Sequence, residues 1–383
     1  MRLVVKTLFG LEDICAQEIK EMGGKDIEVS KRAVAFYGNK RLMYQANYTL
    51  RTGLRVLQSI HAFRAYNEDE LYEKVKAFRW SAYMNIDQTF AVDATVFSKN
   101  FSHSKYAALK VKDGIVDYFR KECKKRPNVD TENPDVRFNV HIAGKDVIIS
   151  FDSSGDTLNK RGYRIRNHKA PLNEVLAAGM LKLAKWDASI PLYDPMCGSG
   201  TILIEAAMAG RNIPAGMYRK KFGFETWTNF DAELWKEVKE EADAKITNPA
   251  LKIYGSDIMA LSVDIAKESI ITAKLDKDIQ LKRRSFERYA PDTPTGMMIC
   301  NPPYGERIKK EDIDAFYKLI GNRLKAKWVN FDCWTISSNI MAYKHVGLHA
   351  DEKIKLFNGP LECEFRKFSI YESEEEEEKI EKN

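Results

Sequence analysis

The chain has 383 residues, with 61 lysines and arginines against 55 aspartates and glutamates, a formal net charge of +6. Hydrophobic residues make up 44% and charged residues 30%, a balance that excludes a disordered or fibrous chain and leaves material for two or three domains. No run approaches the roughly 18 apolar residues of a membrane span. The six cysteines (Cys15, Cys123, Cys197, Cys300, Cys333, Cys363) form no CxxC pair and the histidines show no ligand spacing. No disulfide framework and no metal site are therefore expected, and a cytoplasmic setting fits.

The opening residues alternate as a strand over 2–8, followed by helical spacing over 11–22 that Gly23-Gly24 terminates. Residues 27–29 and 33–37 read as a strand pair, so residues 1–44 form a small α+β unit. Residues 42–50 and 68–78 read as helices, 55–63 and 90–96 as strands, and 104–123 as a long helix. A hairpin over 136–142 and 146–151 turns at Ala143-Gly144-Lys145. A third region, from residue 159, alternates strands and helices in the manner of a parallel α/β sheet. Its helices are expected at 170–186, 200–209, 258–273 and 313–324, and its strands end at Asp194, Asp257, Cys300 and Ser338. Residues 362–371 close the sheet, and the glutamate-rich 372–383 read as a disordered tail.

Charge is uneven along this plan. Residues 1–170 hold 30 basic and 21 acidic side chains, whereas the remainder holds 31 and 34. A basic N-terminal portion suits a polyanion and equally suits a solvated basic face.

Three motifs sit at strand ends. Asp194-Pro195-Met196-Cys197-Gly198-Ser199-Gly200-Thr201 follows a strand and opens a helix. Its glycines allow a tight turn with close ligand approach, and the helix start presents free N–H groups to an anion. It lacks the lysine of a phosphate-cradling loop, which disfavours a kinase or ATPase. Asp257, ending the next strand, can accept hydrogen bonds from two ribose hydroxyls or cap the following helix. Asn301-Pro302-Pro303-Tyr304 must leave the sheet at its carboxyl edge, because prolines cannot continue a central strand. There the Asn301 oxygen and the Pro302 carbonyl can accept from one amino group while Tyr304 stacks on the base carrying it. Cys197 and Cys300 flank these motifs as small buried residues rather than nucleophiles.

Together these motifs resemble the class I S-adenosylmethionine-dependent methyltransferases that modify exocyclic amines, in which DPxxGxGT follows the first strand and NPPY the fourth. Further segments narrow the resemblance: 158–164, Ser104-Lys105-Tyr106, 111–117, 126–130, and an insertion reading 212–219 and 222–227. Nearly the whole chain looks like the bacterial family of THUMP-domain 23S ribosomal RNA guanine-N2-methyltransferases, whose members are often labelled N6-adenine-specific DNA methylases because of NPPY. The resemblance implies an α+β ferredoxin-like unit (1–44), a THUMP RNA-binding domain (45–158) and a Rossmann-like class I methyltransferase domain (159–371). S-adenosyl-L-methionine is the implied cofactor, held by Pro171, Leu172, Asn173, Asp194, Cys197, Gly198, Ser199, Gly200, Thr201, Asp257, Ile258, Ser285 and Phe286. At Ser285 many such enzymes carry an acid that meets the adenine amine, and serine accepts more weakly. Asn301, Pro302, Pro303 and Tyr304 are the implied catalytic residues. The implied partner is RNA, 23S rRNA or a ribosomal assembly intermediate. Lys121, Lys124, Lys125 and Arg126 at one helix end, and Arg161, Arg164, Arg166 and Lys169 at the domain junction, are the expected phosphate contacts. Two alternatives remain open: an adenine-N6 DNA methyltransferase using the same four residues, and a non-catalytic RNA-binding assembly protein.

Overall fold

The computed structural model describes residues 1–166, 171–303 and 310–371. The chain forms two compact units: Met1–Thr7, Cys15–Leu158 and Arg219–Ala242 make the first, and Leu8–Ile14, Asn159–Tyr218 and Asp243–Asn383 the second.

The first half of the chain runs β1 (Arg2–Thr7), α1 (Glu12–Glu21), β2 (Lys25–Ser30), β3 (Ala33–Tyr37), α2 (Lys40–Thr49), β4 (Gly53–Arg64) and α3 (Glu68–Ala77). It continues with β5 (Phe90–Phe97), α4 (Ser104–Cys123), β6 (Val136–Ala143) and β7 (Asp146–Asp152). Asparagines start two of these helices. Asn39 Oδ1 accepts from the Leu42 N–H at 2.9 Å, and Asn67 Oδ1 from the Asp69 and Glu70 N–H groups. The strands form one seven-stranded sheet in the order β2-β3-β1-β4-β7-β6-β5. β4 is the reason the sheet is continuous: its first half pairs with β1 and its second half with β7. The boundary expected between residues 44 and 45 therefore falls inside α2, and the two expected modules share a sheet and a core.

A second difference concerns the insertion. Residues 219–242 were expected to belong with 159–371, but they belong to the first unit. They bring in α7 (Ala232–Asp243) and a set of aromatic rings. Trp227 stacks on Phe151 at 3.9 Å with the rings within 4° of parallel, and Phe224 lies 4.3 Å from Tyr44. Rings of this size each remove well over a hundred square ångströms from water, which outweighs the connectivity of the chain in deciding where the segment packs.

The second unit contains α5 (Glu174–Leu183), β8 (Leu192–Asp194), α6 (Thr201–Gly210), β9 (Ile253–Asp257), α8 (Ala260–Thr272) and β10 (Ile279–Arg283). It ends with β11 (Gly296–Cys300), α9 (Lys310–Lys327), β12 (Phe331–Ser337), β13 (Glu352–Asn358) and β14 (Leu361–Ile370). Its sheet runs β10-β9-β8-β11-β12-β14-β13. The first five strands are parallel, and β14 is antiparallel to both β12 and β13. Strand order reverses between β8 and β11, and the crevice outside such a reversal is where open α/β sheets bind ligands. α5 is shorter than the helix expected over 170–186, starting only after Asn173.

The segment ahead of α5 is anchored by buried charge. Arg161 and Glu205 are essentially inaccessible, with Nε–Oε1 at 3.3 Å, and the Tyr163 hydroxyl donates to the same carboxylate at 3.1 Å. Removing one partner of such a pair strands a charge in the core, whereas removing both does not. Arg161→Met should lower unfolding free energy by about 3–5 kcal/mol in urea titrations, and the double variant Arg161→Met/Glu205→Leu should recover most of that loss.

Candidate functional site

β8, β9 and β11 deliver the three motifs to one edge of the sheet. In register, Met298 pairs with Tyr193, so β11 carries Asn301 out beside the loop that follows Asp194. That loop turns sharply. Gly198 and Gly200 have φ of +52° and +77°, which L side chains rarely adopt. A Cβ on Gly200 would press on Ala266 Cβ at 3.1 Å, whereas one on Gly198 would meet nothing within 4 Å and would project into open space. The loop is tied down by Cys197 N–H donating to the Ser256 carbonyl and Gly200 N–H to the Cys197 carbonyl.

A narrow cleft lies at this edge of the sheet. Eight of the expected site residues line it: Pro171, Leu172, Asp194, Cys197, Gly198, Ser199, Thr201 and Asn301. Met196 and Ile202 also line it and were not singled out, although both lie within or directly after the glycine motif. Asp257 is tied to the cleft loop through its carboxylate, which accepts from the Gly198 N–H at 2.9 Å and, on its other oxygen, from the Met259 N–H at 2.8 Å. It thus supports both the loop and the turn into α8. Each carboxylate oxygen has a second lone pair for a ligand. Ile258 stands exposed beside it, and Ser285 begins the turn after β10.

Several expected site residues do other work. Asn173 Oδ1 accepts from the Val175 and Leu176 N–H groups and so starts α5 instead of lining the cleft. Phe286 is buried in the core, stacked over Trp328. Arg161 is interior, as described above, and cannot reach a phosphate. Arg164 is also largely buried. Its guanidinium donates to Glu174, to Ser199 Oγ at 2.9 Å and to Thr201 Oγ1 at 3.0 Å. It therefore clamps the motif loop to the start of α5. Arg166 is half exposed and makes a two-pronged ion pair with Glu268 at 2.6–2.7 Å. Lys121, Lys124, Lys125 and Arg126 are all exposed at the end of α4, where Lys124 adopts a left-handed conformation that ends the helix. Tyr304 and Lys169 lie outside the described residues, while Pro302 is buried and Pro303 half-buried behind Asn301.

The electrostatics of the cleft are set by burial. Desolvation holds the Asp194 carboxyl well above the usual carboxylate range, opposed by a hydrogen bond from the Met196 N–H, with the Asp257 charge adding to the rise. Burial likewise raises the Cys197 and Cys300 thiols, which suits inert packing residues and not nucleophiles. Asn301 contrasts with these satisfied groups: its Oδ1 is shielded from solvent and accepts from no donor among the described residues. Such an orphan costs about 1–3 kcal/mol, and it points to a ligand that supplies an N–H or O–H. No three His, Cys, Asp or Glu side chains gather into a metal-ligating group among the described residues.

Comparison with known proteins places this geometry. Residues 161–367 match the family model described as an RMKL-like methyltransferase domain, residues 65–152 a THUMP domain, and residues 2–57 an RlmL ferredoxin-like domain. A Synechocystis protein named "Putative RNA methyltransferase slr0064" is 35% identical over 94% of this chain and 95% of its own length. The "Ribosomal RNA large subunit methyltransferase K/L" of Desulfotalea psychrophila is 36% identical over 96% of this chain. This chain spans only 52% of that relative's length. Among solved structures, "SMU.472, a putative methyltransferase complexed with SAH" superposes with a TM-score of 0.87 at 27% identity, covering 97% of this chain and 99% of its own.

The raised Asp194 carboxyl has a consequence for stability. Burial favours its protonated form, so its contribution is fully present below the unfolded carboxylate pKa of about 3.9 and is lost as pH rises through the folded value. Asp194→Asn should therefore raise the melting temperature at pH 7, with the gain over the parent shrinking toward pH 4; calorimetry across that range reads it.

Proposed function

The chain belongs to the RMKL-like methyltransferase family, and from that premise we propose that it methylates the exocyclic N2 amine of a guanine in 23S ribosomal RNA, using S-adenosyl-L-methionine. The observation that carries the target-amine assignment is the orphaned Asn301 oxygen at the mouth of β11. It lies in the same cleft as the glycine loop.

The residues present fit the cofactor. The open space over Gly198 admits a ligand to the backbone, the α6 N-terminus favours its carboxylate, and Asp257 offers free lone pairs to ribose hydroxyls. When bound, the cofactor supplies a methyl group on a positively charged sulfur, which is electrophilic without further activation. The chain's own task is then positioning. Asn301 Oδ1 and the Pro302 carbonyl accept the two N–H bonds of the target amine and direct its nitrogen lone pair toward the methyl. Accepting those bonds also returns electron density to a nitrogen otherwise conjugated with the base. Tyr304 clamps the base by stacking. Ser199 and Thr201 are held by Arg164, so the loop facing the cofactor does not have to reorganise on binding.

The THUMP match, the RNA methyltransferase relative and the basic N-terminal portion support RNA as the substrate class. The relative named for large-subunit rRNA supports 23S rRNA. Lys121, Lys124, Lys125 and Arg126 are proposed as phosphate contacts.

Asn301→Ala should reduce transfer to RNA by on the order of 10²–10³-fold while cofactor affinity, read by calorimetry, stays within a few-fold of the parent. Retained transfer would remove Asn301 from the target site. Nucleoside mass spectrometry of RNA methylated by the chain should show N2-methylguanosine, and N6-methyladenosine instead would reassign the base. Replacing both Lys124 and Lys125 by glutamine should lower the salt dependence of RNA binding by about one to two units of log Kd per log salt.

A further inference from the structure

We propose that the hydroxyls of Ser199 and Thr201 are preset hydrogen-bond donors for the carboxylate of the bound cofactor, and that Arg164 is the positioning residue that sets them. The proposal rests on the cofactor reading above and adds which atoms take the charged end of the ligand, and why they meet it as donors.

A serine or threonine hydroxyl has one proton to donate and two lone pairs to accept with, and it rotates to suit its neighbours. Arg164 removes that freedom. A guanidinium only donates, so Ser199 Oγ, 2.9 Å from Nη1, and Thr201 Oγ1, 3.0 Å from Nη2, must both act as acceptors toward it. The guanidinium is fixed in turn by Glu174, whose Oε1 accepts from Nε at 3.1 Å and from Nη2 at 2.8 Å. Glu174 Oε2 accepts from the Asn159 amide at 3.4 Å. Each hydroxyl therefore has a lone pair filled and its O–H turned away from Arg164. Neither O–H donates to an acceptor among the described residues. Both side chains are nonetheless deep in the protein, Ser199 with 5% exposure and Thr201 with 3%. A buried donor without an acceptor is costly, and here two of them stand two residues apart.

Ser199 and Thr201 line the same cleft as Asn301. The cleft thus presents two unused donors as well as the unused acceptor of Asn301. The start of α6 adds to the donors, because its first N–H groups have no partner within the helix and its dipole favours negative charge. An anionic acceptor satisfies all of these together. No lysine or arginine lines the cleft among the described residues, and the charge of Arg164 is balanced by Glu174. The anion is therefore held by oriented donors and not by a counter-ion. Asp194 lines the cleft too and, when ionised, can only repel a carboxylate, so the attraction has to come from the α6 side. The cofactor's carboxylate is a chain end and can reach hydroxyls buried to this degree, which a phosphodiester within an RNA strand cannot.

The test reads, by calorimetry on the full chain, the affinity for two probes: S-adenosylhomocysteine, and S-adenosyl-3-thiopropylamine, which keeps its amine and lacks its carboxylate. The parent should bind the first about tenfold or more tightly than the second. Ser199→Ala and Thr201→Val should each weaken S-adenosylhomocysteine about tenfold and leave the decarboxylated probe within about twofold, so that the discrimination collapses. Thr201→Ser, which keeps the hydroxyl, should keep the discrimination. Arg164→Lys should narrow it, because one ammonium cannot reproduce the planar fork that joins Glu174 to both hydroxyls. Full discrimination in Arg164→Lys would overturn the role given to Arg164. Equal weakening of both probes in the serine and threonine variants would refute the proposal, since the hydroxyls would then only shape the loop. Equal binding of the two probes by the parent would refute it as well. So would unchanged S-adenosylhomocysteine binding in Ser199→Ala and Thr201→Val, and weakened RNA binding in the same variants would then assign the donors to a phosphate. If the parent binds neither probe, the cofactor reading itself fails and the proposal with it.

Discussion

Two arginines that a sequence would place on the surface lie inside the second unit, and the geometry of the cleft depends on them. Arg161 reaches Glu205 near the middle of α6, and Arg164 joins Glu174 at the start of α5 to Ser199 and Thr201 at the start of α6. α6 is therefore held at its first turn and again one turn later, and the glycine loop ahead of it is fixed with it. A guanidinium suits this task because its planar fork of five donors can satisfy several acceptors from one place. Its burial is tolerable only because every carboxylate it meets is itself removed from water. The charge of residues 161–164 thus contributes nothing to the surface field that a sequence count assigns to it.

What could be read from the sequence divides along the same line. Strands β8, β9 and β11 were legible because apolar runs end in residues with strict backbone demands: two glycines at positive φ after β8 and two prolines after β11. Their order also made the carboxyl-edge cleft predictable, and the structure gathers eight of the expected residues there. Partner choice was not legible. Arg161 carries the same letter whether it faces a phosphate or a glutamate 44 residues away. The resemblance of its segment implies a cofactor contact at Asn173, and an asparagine ahead of a helix is equally apt as its cap, which is the use its Oδ1 has here. Phe286 follows the same logic, since an aromatic after a strand end is as apt for the core as for a cofactor edge.

The first unit shows a different limit. β4 is a single 12-residue strand, so no punctuation in the sequence marks where one expected module ends and the next begins. The register shift between Ser59 and His61 falls inside its pairing with β7 and does not break the strand. The aromatic content of 222–235 signals a buried segment, but periodicity cannot say which core receives it. Only the fit of Trp227 against Phe151, and of Phe224 and Trp235 against Tyr44, decides that. One result is that the central rings of this unit are consumed in its core.

The polarity of the cleft narrows the chemistry further. Its hydrogen-bonding groups are largely engaged with one another: Asp194 accepts from Met196, Ser199 and Thr201 accept from Arg164, and Asp257 accepts from Gly198 and Met259. Asn301 Oδ1 alone among these is shielded from solvent with its lone pairs unclaimed by any described residue. An unclaimed acceptor selects for a donor. A carbonyl or a ring nitrogen brought to the same point would face oxygen with a lone pair and gain nothing, so the group that satisfies Asn301 must carry hydrogen. An exocyclic amine meets that demand and still leaves its nitrogen free on the face away from the ring plane. On the proposed function, the same atom would both select an amine and direct its nucleophilic face outward.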